Sequence, residues 1–136
     1  MANSAMNFQY DSVGTVKKII IDWLSDDFAG TCSFSTKKIS GFLLKGVTDP
    51  AGGADQPDDN YNIVLTDEEG ANILANCSDD LLLRDETNTE TVDFIIDGAV
   101  VGSAGRPCVN DIITVSVDSA GNALQGQLIL YWMGSP

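Results

Sequence analysis

Residues 109–132 read Val-Asn-Asp-Ile-Ile-Thr-Val-Ser-Val-Asp-Ser-Ala-Gly-Asn-Ala-Leu-Gln-Gly-Gln-Leu-Ile-Leu-Tyr-Trp. From Val109 to Val117 the pattern has period two. Ile113, Val115 and Val117 share one face, and Ile112, Thr114 and Ser116 share the other. Asp118 to Asn122 is rich in turn-forming residues. The chain then returns with Leu124, Leu128, Leu130 and Trp132 on one parity. Two alternating runs around a turn predict a β-hairpin.

Working outward, the same period recurs. Thr15 to Trp23 predicts a strand, with Val16, Ile19, Ile20, Ile21 and Trp23 as β-branched and aromatic bulk. Thr31 to Val47 predicts a second strand, in which Gly41 marks a bulge or a sharp bend. A Pro/Gly/Asp connection over 48–59 follows, where Pro50 and Pro57 exclude a central strand. Tyr61, Ile63 and Leu65 alternate with Asn62, Val64 and Thr66 as a third strand. Asp67-Glu68-Glu69-Gly70 is a tight turn, and Ala71 to Leu74 is expected to return as a short strand. Residues 75–90 fit either a helical turn or a strand start around Leu81-Leu82-Leu83. Thr91 to Ile96 and Val100-Val101 are strand-like, broken by Asp97-Gly98.

No stretch of ten or more residues has helical periodicity, and no repeat of fixed period is present. The expectation is an all-β fold: an antiparallel β-sandwich, jelly-roll-like, of six to eight short strands with little helix. Residues 15–136 are read as one domain. Residues 1–14 are polar and small, with Phe8 and Tyr10 as isolated aromatics. They read as a flexible arm, either frayed or ordered only against a neighbouring subunit.

The charge is lopsided. Residues 1–48 carry five Lys and four Asp, residues 49–98 carry fourteen acids and one Arg, and the chain totals −13. That balance argues against nucleic acid, which needs a basic face, and against an anionic membrane surface. Met1 to Val16 lacks a charged start followed by an apolar core, so synthesis in a cytoplasm is expected.

There is no histidine, so Ser-His and Cys-His nucleophile pairs are impossible. Cys32, Cys77 and Cys108 are too few and too widely spaced for a disulfide framework or a zinc site. Gly52-Gly53 lacks the Lys-Ser or Lys-Thr of a phosphate loop. Pairs of acids able to hydrolyse a substrate are available, but their number makes them unspecific. The expectation is a non-enzyme without a cofactor. Asp55, Asp58, Asp59 and Asn60 cluster in one loop and are the candidate calcium ligands. Their spacing does not match an EF-hand, and Asx-turns explain them better. Lys17-Lys18 and Lys37-Lys38 fall on the first two predicted strands, expected as neighbours with one lysine of each pair outward. They serve either as edge protection or as a basic patch for an acidic partner or another copy. With Phe8 and Tyr10 they are the candidate interface residues.

The order of elements carries a resemblance. The segments are Ile-Ile-Ile-Asp-Trp-Leu-Ser-Asp-Asp-Phe-Ala-Gly (19–30), Ile-Ser-Gly-Phe-Leu-Leu-Lys-Gly-Val-Thr-Asp-Pro (39–50), and Gln-Pro-Asp-Asp-Asn-Tyr-Asn-Ile-Val-Leu-Thr-Asp-Glu-Glu-Gly-Ala-Asn-Ile-Leu (56–74). The Asp-Ser-Ala-Gly-Asn turn (118–122) and Leu-Ile-Leu-Tyr-Trp (128–132) complete them. Together they resemble small β-rich virion structural proteins of tailed bacteriophages. The resemblance implies a protein made in the host bacterial cytoplasm and incorporated in the virion. Its implied role is capsid cement or decoration, bound as a dimer or trimer to the major capsid protein, or else a head–tail connector or tail component. A calcium- or carbohydrate-binding β-sandwich module is the competing class.

Overall fold

The computed structural model describes residues 4–11, 13–96 and 105–134. The fold is all-β and antiparallel. Its strands are β1 (Ala5–Asp11), β2 (Val16–Leu24), β3 (Cys32–Pro50), β4 (Asn62–Thr66), β5 (Glu90–Asp93), β6 (Cys108–Asp118) and β7 (Gln125–Met133). A single 3-10 turn, Gly53–Asp55, is the helical content among the described residues. The strands form one seven-stranded sheet in the order β1-β2-β7-β3-β6-β4, with β5 attached to β3. The pairing supports an all-β antiparallel fold and stops short of a sandwich or a jelly roll. The expected break at Asp97-Gly98 and the strand at Val100-Val101 lie outside the described residues.

The 19-residue β3 organises the sheet. Its first part, Cys32 to Phe42, pairs with β6; its second, Phe42 to Pro50, pairs with β7. β5 continues along the β6 edge, opposite Lys45 to Thr48. Two register shifts mark the change, between Ser35 and Lys38 and between Leu43 and Lys45. At the first, buried Thr36 fills the gap in the ladder. Its hydroxyl donates to the Lys37 carbonyl (2.7 Å) and accepts from the Ile113 amide (3.2 Å).

The predicted hairpin at the end of the chain is not formed. Its two strands exist, with the predicted inward faces: Ile113, Val115 and Val117 on β6, and Leu128, Leu130 and Trp132 on β7 are buried. They do not pair, because β7 inserts between β2 and β3 while β6 lies between β3 and β4. The connection is tied to the end of β2 instead. Ser25, fully buried, donates its hydroxyl to the Gly121 carbonyl (2.6 Å) and accepts from the Leu124 amide (2.9 Å). Those bonds steer the chain away from β6 and onto β2.

The Asp67–Gly70 turn is as expected, closed by Asp67 Oδ1 accepting the Glu69 (3.0 Å) and Ala71 (2.9 Å) amides. The return strand over 71–74 reduces to a single bridge, Thr66 to Asn72. The segment after it is irregular but satisfies the open edge of β4: the Ile63 amide donates to the Leu81 carbonyl and the Ile73 amide to the Leu65 carbonyl.

Ala5–Asp11 is a strand of the sheet rather than a free arm, since it pairs with β2 over its whole length. Ala5, Asn7, Gln9 and Asp11 are exposed, while Met6, Phe8 and Tyr10 are half-buried against the core. Polar residues at every second position give this strand the composition of a polar tail.

The core lies on the inward face of the sheet. Ile19, Ile21 and Trp23 from β2 meet Leu128 and Leu130 from β7, with Tyr61, Leu81 and Phe94 closing over them. Trp23 and Tyr61 pack with ring centroids 5.4 Å apart at 50°. Gly126 makes room for that indole: a Cβ there would lie 2.7 Å from Trp23 Cε2.

Candidate interaction surface

The acidic loops are held by their own backbone. Asp59 Oδ1 accepts the Asn60 amide (3.0 Å), and Asn60 adopts φ 62°, a left-handed conformation that Asn tolerates. The Asp58 amide donates to the Ala120 carbonyl (2.8 Å), and Asp55 belongs to the 3-10 turn. Glu86 shares a hydrogen bond with Asp59, which pushes the Glu86 carboxyl above its ordinary value. Among the described residues no three acidic or sulfur groups converge as a cation site. Asp59 accepts the amide of the very next residue and so does not close an Asx-turn, and Asp55, Asp58 and Asp59 are not drawn around a common point.

Two other carboxylates are held below their usual range. Asp26 accepts the amides of Ala29 (2.7 Å), Gly30 (2.8 Å) and Phe28 (3.3 Å), the Ala29 bond contributing most. Asp85 accepts the Thr87 amide (2.7 Å) first, then the Asn88 and Thr87 side chains and the Asn88 amide. A carboxyl depressed in the folded state stabilises the fold above its unfolded value, and the contribution is lost as pH falls. The melting temperature is therefore expected to fall as pH drops below the ordinary aspartate value of 3.8. Asp85→Ala should show a shallower acid limb in a pH series of thermal melts, and an identical limb would mean these turns do not couple to folding.

Of the proposed interface residues, Phe8, Tyr10 and Lys37 come together. Phe8 and Tyr10 stack at 6.2 Å, and Lys37 Nζ lies 5.1 Å from the Tyr10 ring centroid. The Lys37 amide also donates to the Tyr10 hydroxyl (2.9 Å). This cluster ties β1 to the bulged part of β3 inside one chain. The two lysine pairs are not on neighbouring strands, because β7 separates β2 from β3. Even so, Lys17 and Lys38 meet across an open cleft of about 740 Å³, walled by Trp132, Phe42 and Met133. Lys18 shares the outward face with Lys38, Phe42 and Met133 but sits further along β2, opposite Tyr131 in the register.

A row of exposed apolar residues is invisible to periodicity. Val16 pairs with Met133, Met133 with Phe42, and Phe42 with Cys108. Directly paired residues share a face, so these four form one row across β2, β7, β3 and β6. All are exposed: Val16 by 55%, Phe42 by 50% and Met133 by 42%. Parity alone turns Val16 and Met133 outward, since each has the parity opposite to buried neighbours. Their adjacency depends on a strand order that periodicity does not carry.

No protein-family model matches the chain, and no curated protein is similar to it. Nothing in these comparisons identifies a phage virion protein.

Proposed function

We propose that the chain is a non-enzymatic structural protein of a tailed-phage particle, a capsid cement or decoration protein that docks on adjoining capsid subunits. The observation that carries this reading is the exposed Val16–Met133–Phe42 row bordering the cleft that holds Lys17 and Lys38. A contiguous apolar strip on a small domain, edged by charge, suits a protein–protein contact. The resemblance of the quoted segments to phage virion proteins supplies the setting. Repeated by lattice symmetry, many modest contacts of this kind raise the cost of separating capsomers. The acidic loops, fixed by Asx-turns, keep free copies apart in solution by like-charge repulsion.

The test is a composition and thermal analysis of purified particles. The protein should be present at a fixed ratio to the major capsid protein, and particles stripped of it should rupture at a lower temperature. Absence from purified particles overturns the reading, and density confined to the neck or tail replaces cement with a connector role.

A further inference from the structure

The outward face of β1, β2, β7, β3 and β5 carries a pattern that the docking row does not explain. Register places Lys18, Tyr131 and Lys45 side by side, flanked by Asp11 and Asp93. Two residues further along each strand, Ile20, Ile129 and Val47 form an apolar row, flanked by Gln9 and Thr91. Two residues further again, Asp22, Gln127 and Asp49 form an acidic row, with Asn7 beside Asp22. Along β2, β7 and β3 the face is therefore basic, apolar and acidic in three successive rows, with Asp11 and Asp93 at the two ends of the first.

The side chains are already arranged. Lys45 Nζ lies 4.8 Å from the Tyr131 ring centroid. Asp22 accepts from Gln127 Nε2 (2.9 Å) and Asp49 from the Thr89 hydroxyl (3.0 Å). Ile20, Ile129 and Val47 are half-buried on a face whose own strands offer them no further cover. Three β-branched residues in a row at the centre of a sheet face are the kind of surface a second layer covers.

We propose that this face is the interface of a symmetric dimer, in which a second copy packs about a two-fold axis lying along the Ile20–Ile129–Val47 row. Rotation about that axis reverses the strands and keeps their order across the sheet. Each apolar residue then faces its own counterpart. Lys18 faces Asp22 of the other copy, and Lys45 faces Asp49, twice each by symmetry. At the margins Asp11 faces Asn7 and Asp93 faces Thr89, and the Val16–Met133–Phe42 row lies outside the contact. No like charges are opposed. An axis along the strands would instead set Lys18 against Lys45, so the charges select the first arrangement. Five strands about 4.8 Å apart and the three rows about 6.8 Å apart cover roughly 500 Å² on each copy. The pair therefore buries about 1,000 Å², the least that a specific interface needs. The proposal does not rest on the particle reading, because it concerns the isolated chain.

The experiment is sedimentation of the purified chain and of two charge variants. Lys18→Asp with Lys45→Asp puts acids at all four charged positions of β2 and β3; Asp22→Lys with Asp49→Lys puts lysines at all four. The wild type is expected to be a dimer at micromolar concentration. Each variant alone should dimerise about a hundredfold more weakly or worse, because like charges now oppose. An equimolar mixture of the two should recover a dimer containing one of each. A monomeric wild type, or variants that self-associate as the wild type does, overturns the proposal. If either variant fails to fold, Ile129→Cys decides alone. Its thiol lies on the axis and should join two copies through a short thiol-to-thiol linker. Wild-type chains, with Cys108 two rows away, should not be joined to the same extent. Equal yields from the two overturn it.

Discussion

Replacing Trp23 by alanine is expected to cost about 3–5 kcal/mol, the range for deleting a buried large aromatic side chain. Trp23 is 2% exposed and projects from β2 into the centre of the core. One side of its indole rests on the bare backbone of Gly126 and another packs on Tyr61. Backbone in a paired strand cannot slide into the space an indole leaves, because β7 is held by β2 on one side and β3 on the other. The cavity therefore stays open, and the full cavity term applies. Trp23→Phe should cost much less. It keeps a ring against Tyr61 and gives up an indole N–H that has no hydrogen-bond partner among the described residues. Urea unfolding of both variants checks this: the midpoint should fall steeply for alanine and modestly for phenylalanine. An alanine loss under about 1 kcal/mol would remove Trp23 from the core.

How much of the fold is legible in the sequence follows from what period two encodes. Alternation assigns each side chain to a face, so the inward residues of β6 and β7 can be read from their own segments. It does not name the neighbouring strand. The loop after β6 has the composition of a hairpin turn without being one. Its course is set by Ser25, about a hundred residues away in sequence, and no local signal reports that bond. β1 is hidden for a different reason. Its three inward residues are separated by Ala, Asn, Gln and Asp, so mean polarity outweighs the alternation of Met6, Phe8 and Tyr10. The candidate surface is legible in part. The lysines stand out as pairs, but only the insertion of β7 between β2 and β3 sets Lys17 and Lys38 on one cleft. The symmetric rows are a property of register and cannot be read from any single segment.

Gly41→Val is the second large effect, expected to cost more than about 3 kcal/mol by combining two penalties. Gly41 has φ +141°, where an L side chain is strained whatever the space around it. A Cβ there would also overlap the Met133 carbonyl oxygen and lie 2.9 Å from its carbonyl carbon. Both obstacles are backbone, so no rotamer change relieves them. The position is where β3 is about to exchange β6 for β7, the step on which the strand order depends. Gly70→Ala is the matched control. Gly70 also has positive φ, +83°, but nothing among the described residues lies within 4 Å of a Cβ built on it. It should therefore lose only the conformational term, about 1 kcal/mol. Chemical unfolding of the pair separates strain from collision. Equal losses would mean that β3 and β7 do not approach as closely at Gly41 as the structure has them. A far larger loss at Gly41 would tie stability and surface together, since the crossing it permits is what sets Phe42 beside Met133 on the exposed row.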